Sequence, residues 1–311
     1  MGPQGSGPRR ARQSVKPPTA AGACGLLQRR GEPHAASGEK VHVTGVPDLS
    51  RIGALVREVA RAELMPRFGL VGETAKADGS VVTEADLVTQ RCLLDALAAE
   101  YPGVAQIGEE MDAGAQAEAL AQSADGVWCL DPLDGTSNYV GGFPFFAVSL
   151  AWLLRGRVQL GVVYDPVRDE LYTARRDAGA SLNGRPLHVP AAPVTLERSL
   201  AIVDFKRLPG ALSARLTTRP PFRSQRALGS VALEWCWLAA GRGQIYLHGA
   251  QSLWDYAAGS LILAEAGGTG CLLDELEGPC RDELRLGKRL AVAAANDRLL
   301  AEWRRWLGAP A

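Results

Sequence analysis

The run Gly126-Val127-Trp128-Cys129-Leu130 passes directly into Asp131-Pro132-Leu133-Asp134-Gly135-Thr136-Ser137-Asn138. A short apolar run stopped by turn residues reads as a buried strand. Beyond it stand Asp131 and Asp134, with Pro132 to kink the chain and Gly135 to permit a tight turn. Two carboxylates so placed at a strand end can converge on one hard cation, which takes oxygen ligands. A polar turn with Asp134 as the N-cap of a following helix accounts for the same residues without a metal.

Three more stretches lie outward from this one. Gly108-Glu109-Glu110 follows the strand-like Ala105-Gln106-Ile107, and an acidic pair after a strand is commonly a solvated turn. Val82-Thr83-Glu84-Ala85-Asp86 has the form of a capping box, with Asp where Glu or Gln is favoured. Trp254-Asp255-Tyr256-Ala257-Ala258-Gly259 opens an apolar helix, in which Asp255 also fits a simple N-cap. Around them, Leu49, Ile52, Leu55, Val56, Val59 and Ala62 form one helical stripe ending near Pro66. Val88, Cys92, Leu93, Leu97 and Tyr101 form a second, between Thr83 and Pro102. Strands are predicted over 127–130, 146–153, 158–164, 170–174, 200–203 and 244–247, with a hairpin turn at Asn183-Gly184. Helices are predicted over 230–240, 254–266 and 296–306, the second stopped by Gly267-Gly268. Blocks of helix and strand in alternation predict an α/β (α+β) layered sandwich.

The 311 residues carry 34 Lys+Arg against 34 Asp+Glu, so the global basic field that gathers nucleic acid is absent. Direct nucleic-acid binding is therefore not expected. The longest apolar runs, such as 143–154, fall short of the roughly 20 residues that a spanning helix needs, so no membrane partner is expected either. The chain reads as soluble and cytoplasmic. Residues 1–45, rich in Gly, Pro, Ala, Ser and Arg, lack apolar periodicity and read as a disordered leader, with a transit peptide or an upstream-assigned start as alternatives. Residues 46–311 read as the folded domain. The cysteines at 24, 92, 129, 236, 271 and 280 show no CxxC spacing, and reduced, partly buried thiols are expected.

Each motif has a structural explanation of its own, but their joint occurrence in this order resembles the inositol monophosphatase family of magnesium-dependent phosphatases. The resemblance runs from about Asp48 to Leu307 and rests on D-P-L-D-G-T-x-N-Y at 131–139 and W-D-x-A-A-G at 254–259. Phe143-Pro144 before Phe146-Ala147-Val148-Ser149, Gly161-Val162-Val163-Tyr164 and Asn183-Gly184 support it. It implies an α/β/α/β/α sandwich, commonly a homodimer, two to three Mg²⁺ per subunit, lithium sensitivity and a small phosphomonoester substrate.

By that resemblance, Glu109, Asp131 and the Leu133 carbonyl are expected to hold a first Mg²⁺, and Asp131, Asp134 and Asp255 a second. A third, weaker ion would lean on Glu109 and water. Thr136, paired with Asp86, is expected to accept the proton of the attacking water, with Glu109 as an alternative base. The backbone N–H groups of Gly135 and Thr136 are expected to hold the phosphate, with Gly229 and Ser230 beside the substrate. Lys76 matches a basic position whose role is less defined. His248 stands seven positions before Asp255, where the inositol phosphatases carry an acidic residue that bonds substrate hydroxyls. It is either a histidine hydrogen-bonded at a strand end or part of a pocket tuned to another alcohol or a second anion. The alternatives are thus 3′(2′),5′-bisphosphate nucleotidase, histidinol-phosphate phosphatase and, from a different class, an RNA-polymerase antitermination-associated binding protein.

Overall fold

The computed structural model describes residues 46–76, 81–190 and 195–308. The leader predicted over 1–45, Cys24 included, lies outside the described residues. The strands are β1 (Thr74–Ala75), β2 (Val81–Val82), β3 (Ala105–Gly108), β4 (Val127–Asp134), β5 (Ala147–Leu154), β6 (Arg157–Asp165), β7 (Glu170–Arg175), β8 (Gly179–Leu182), β9 (Arg185–Leu187), β10 (Leu200–Asp204), β11 (Ser224–Arg226), β12 (Ile245–Gln251), β13 (Thr269–Leu273) and β14 (Arg289–Ala294). The helices are α1 (Leu49–Glu63), α2 (Glu84–Glu100), α3 (Ala113–Ala121), α4 (Thr136–Val140), α5 (Gly210–Thr218), α6 (Val231–Ala239), α7 (Leu253–Glu265) and α8 (Asp297–Leu307).

Strands β3 to β9 lie in chain order in one seven-stranded sheet, antiparallel except for the parallel pair β3–β4. A five-stranded sheet has the order β11-β10-β12-β14-β13. Because side chains alternate faces along a strand, each sheet serves two cores. On β4, Trp128 and Leu130 point to the core under α1 and α2, whereas Val127 and Cys129 point to the core of α6 and α7. On β14, Ala291 and Ala293 face that same middle core, and Leu290, Val292 and Ala294 face α5 and α8. The layers are therefore α/β/α/β/α, as the sequence resemblance implied.

Two glycines set how tightly the middle layer sits. A Cβ on Gly161 of β6 would lie 2.8 Å from the Ala258 carbonyl oxygen, and one on Gly259 would lie 2.6 Å from the Trp235 Cβ. Helix α7 thus lies against the large sheet and against α6 at backbone distance.

Predicted boundaries differ from the observed ones mostly by a residue or two. Helices α3 and α5 and strands β1, β2, β11, β13 and β14 have no counterpart in the sequence-based elements. The expectation of reduced thiols is corrected at one pair: Cys271 and Cys280 are joined in a disulfide. Cys271 lies on β13 and Cys280 in the loop beyond it, where the backbone N–H of Arg281 donates to Leu272 O (2.8 Å) and brings the two together. Cys92, Cys129 and Cys236 are buried thiols, as expected, and burial pushes the thiols of Cys129 and Cys236 above their usual range.

Candidate active site

The site forms where β3, β4 and the middle helices end together. The strand predicted at 127–130 continues through Asp134, with a bulge against β5 between Asp131 and Asp134. The bulge accommodates Pro132, which cannot donate to the ladder, and it carries both carboxylates past the last regular pair. The Asp131 carboxylate folds back to accept from the Leu133 N–H (2.9 Å). Gly135 then turns the chain at φ 95°, and a Cβ there would stand 3.1 Å from the Phe145 carbonyl and 3.2 Å from that of Gly229. Both the left-handed conformation and the close approach require glycine at this position.

Asp134 is not a helix N-cap; that position of α4 belongs to Gly135. Its carboxylate instead accepts from Ser230 Oγ (2.6 Å) and the Ala232 N–H (2.7 Å), which ties the first turn of α6 to the end of β4. Asp255 is not an N-cap either. Ser252 caps α7, and Asp255 closes the capping box by accepting from the Ser252 N–H (2.8 Å). Asp86 plays the equivalent part at α2, accepting from the Thr83 N–H (2.8 Å) and Thr83 Oγ1 (2.6 Å). Its other oxygen lies 3.1 Å from Thr136 Oγ1, which also reaches the Leu133 carbonyl at 3.0 Å. The predicted Thr136–Asp86 pair is therefore in contact. These capping aspartates do two jobs, because the geometry that closes a helix start also fixes a carboxylate in place.

Glu109 leaves β3 beside Asp131, its N–H donating to the Leu130 carbonyl (3.1 Å). Lys76 bridges Glu109 (3.0 Å) and Glu110 (2.5 Å). Burial works against its ammonium, but the two carboxylates outweigh that and hold its pKa above the usual lysine range.

The electrostatics ask for a cation. Burial, then repulsion from Glu109, Asp134 and Asp255, pushes Asp131 well above the carboxylate range. Asp255 is raised likewise by burial, then by Asp134 and Glu109. Asp134 is pushed up to about 6 by burial, against the hydrogen bonds from Ser230 and Ala232. Glu109 is raised by burial, which Lys76 opposes. Four neighbouring carboxylates, all oxygen donors, fit a hard divalent cation such as Mg²⁺ in chemistry and in charge. Among the described residues, no three His, Cys, Asp or Glu side chains are gathered tightly enough as they stand to hold one. One oxygen of each aspartate, and one of Glu109, takes hydrogen bonds from the protein's own donors.

His248 lies on β12, 5% exposed. Its Nδ1 accepts from the Ala250 N–H (3.2 Å), and Nε2 stands 3.2 Å from Asp204 Oδ2 on the parallel neighbour β10. Both ring nitrogens are thus engaged inside the protein. A residue that sequence reasoning passed over is Glu234 of α6. Its Oε1 accepts from the N–H groups of Leu228 and Gly229 (3.0 Å each) and so shapes the Gly229-Ser230 segment, while Oε2 is buried without a partner among the described residues. Burial pushes this carboxyl up to about 7. The available signal was an acid within the apolar run Val231-Ala232-Leu233-Glu234-Trp235-Cys236.

Comparison with known proteins gives one answer. The family model described as the inositol monophosphatase family matches residues 40–306. The chain is 36% identical over 202 residues to the Nus factor SuhB of Pasteurella multocida (strain Pm70), covering 64% of this chain and 74% of that protein. It is 32% identical over 249 residues to inositol monophosphatase 1 of Bos taurus, covering 78% and 86%. Among solved structures, the extragenic suppressor protein suhB of Bartonella henselae is similar with a TM-score of 0.70 at 29% identity, over 84% of this chain and 98% of that one.

Proposed function

Since this chain belongs to the inositol monophosphatase family, we propose that it hydrolyses a small phosphate monoester, using Mg²⁺ held by Glu109, Asp131, the Leu133 carbonyl, Asp134 and Asp255. The observation that carries the proposal is the set of four neighbouring carboxylates, Asp131 and Asp134 buried and Glu109 and Asp255 half-buried, whose pKa values are all raised. When bound, the ion supplies an acidified water and stabilises charge on the leaving oxygen. The chain's own residues do the rest. Thr136 receives the proton of the attacking water at Oγ1 and passes its own toward Asp86, which Thr83 orients. Glu109 is the alternative base, and Lys76 holds it in position. The N–H groups of Gly135 and Thr136 bind phosphate oxygens, and Glu234 positions Gly229 and Ser230 beside the ester. The substrate's alcohol lies toward His248, where the histidine–aspartate pair replaces the acidic residue of the inositol phosphatases. An inositol phosphate, a 3′(2′),5′-bisphosphate nucleotide and histidinol phosphate are the substrates to compare.

Phosphate release across that panel, with Mg²⁺ and then with excess chelator, tests the proposal. Turnover that requires the metal supports it, and undiminished turnover in chelator overturns it. The relationship to a protein named Nus factor SuhB favours a second reading, as a binding partner in transcription antitermination. Asp134→Asn separates the two: it removes hydrolysis but leaves a purely binding role intact.

A further inference from the structure

Away from the carboxylate cluster, a cavity of about 510 Å³ lies on the flank of α7, between the β5–β6 turn and β13 with its following loop. None of Asp86, Glu109, Asp131, Asp134, Thr136 or Asp255 lines it. Its walls differ in character. One carries Arg155, Arg157 and Arg176, and no ion pair engages any of the three among the described residues. Arg176 Nε donates to the Val158 carbonyl (2.7 Å), which keeps its guanidinium on the wall. On the opposite wall Arg281 is paired with Asp274 and Glu283 with Arg289, so Asp282 alone opposes the three arginines with an unpaired charge. The floor holds Trp235 and Leu261, and with them Tyr256, whose residue is 1% exposed and whose hydroxyl is buried without a hydrogen-bond partner among the described residues.

Three guanidiniums in excess over one carboxylate leave two positive charges, and guanidinium planes match the oxygens of phosphate and phosphonate. We propose that this cavity is a second binding site, for an organic phosphate dianion whose apolar body rests on Trp235 and Leu261. The anion lies among Arg155, Arg157 and Arg176. The Cys271–Cys280 disulfide fastens the loop that carries Asp282 and Glu283 to β13, so these two parts of the cavity wall are covalently joined.

Calorimetric titration of the full chain with phenylphosphonate tests this. The ligand is not hydrolysed, and excess chelator leaves the catalytic carboxylates to repel it. Saturable binding at one site per chain is expected, about tenfold tighter than benzoate, with benzyl alcohol weaker still, because charge-assisted bonds dominate. Arg157→Glu and Arg155→Asn lie on an exposed turn, where Asn also tolerates the left-handed backbone (φ 53°) of Arg155. Each should weaken binding about tenfold or more, and Arg157→Lys should recover part of the loss. Phosphomonoester hydrolysis by Arg157→Glu should match the unaltered protein, and Asp134→Asn should bind phenylphosphonate normally. The proposal is overturned by an absence of saturable binding, by arginine variants that bind like the parent, or by loss of binding in Asp134→Asn. Equal affinity for benzoate overturns the dianion assignment.

Discussion

At the scale of single residues, the carboxylate cluster sets catalysis against stability. Holding Asp131, Asp134 and Asp255 together without a metal costs free energy, because burial raises all three and repulsion adds to it at Asp131 and Asp255. Asp134→Asn keeps an acceptor for Ser230 and Ala232 while deleting one charge. In chelator the variant should melt a few degrees higher, a gain on the order of 1 to 3 kcal/mol near pH 7. Its kcat/KM in Mg²⁺ should fall on the order of a hundredfold to a thousandfold, the scale for losing one charge-stabilising group. Differential scanning calorimetry with and without chelator, beside a phosphate-release assay, checks both halves. Glu234 gives a pH test. Its folded pKa of about 7 lies above the ordinary glutamate value, so its cost to stability is absent in acid and appears as pH rises through 7. Glu234→Gln should therefore gain in melting temperature over the parent between pH 5 and 8, by no more than about 1.4 kcal/mol per pH unit; a gap independent of pH would count against it. The carboxylates were legible in the sequence because they sit in short contiguous motifs. The partner of His248 was not: Asp204 lies on a neighbouring strand, and only the parallel register of β10 and β12 brings them together.

At the scale of elements, the placement of Asp255 depends on how closely α7 approaches the sheet. Gly161→Ala inserts a methyl 2.8 Å from the Ala258 carbonyl, and backbone cannot swing aside as a side-chain tip can. Overpacking of this kind costs about 1 to 3 kcal/mol. The displaced helix carries Asp255 with it, so urea unfolding should show the loss and the apparent Mg²⁺ affinity in the phosphatase assay should weaken alongside. Gly179→Ala, with nothing within 4 Å of its Cβ, should leave the metal response unchanged despite its strained φ of 87°. Long periodic helices such as α1, α2 and α7 could be read from their stripes and caps. Helices α3 and α5 could not: each is nine residues long, as α6 is, but α3 buries only Gln116 and Ala119 and α5 only Leu212 and Leu216, so neither shows an apolar stripe. Strand β14 was missed for another reason. It opens with Arg289, fully buried and paired with Asp274 and Glu283, and continues Leu290-Ala291-Val292-Ala293-Ala294, in which Val292 alone favours a strand.

At the scale of the whole molecule, the two sheets come from separate stretches of chain. The large one uses residues 105–187 and the small one 200–294, and no strand is exchanged between them. The layered order could be inferred from the family motifs, but hydrophobic periodicity alone could not supply it, since an apolar strand looks the same whichever core its faces serve. Asp131 and Asp134 ride on the first stretch, whereas Asp255 and the Ser230 contact ride on the second. During refolding from urea, far-ultraviolet circular dichroism should therefore recover before phosphatase activity, because strands form within each stretch before the stretches dock. Simultaneous recovery would show that the sheets form only upon docking. Under the proposed function, division of the carboxylates between the halves makes catalysis a logical conjunction. A chain that has completed either half alone, on the ribosome or after damage, is silent toward phosphate esters, so turnover measured in a mixture counts finished molecules and nothing else.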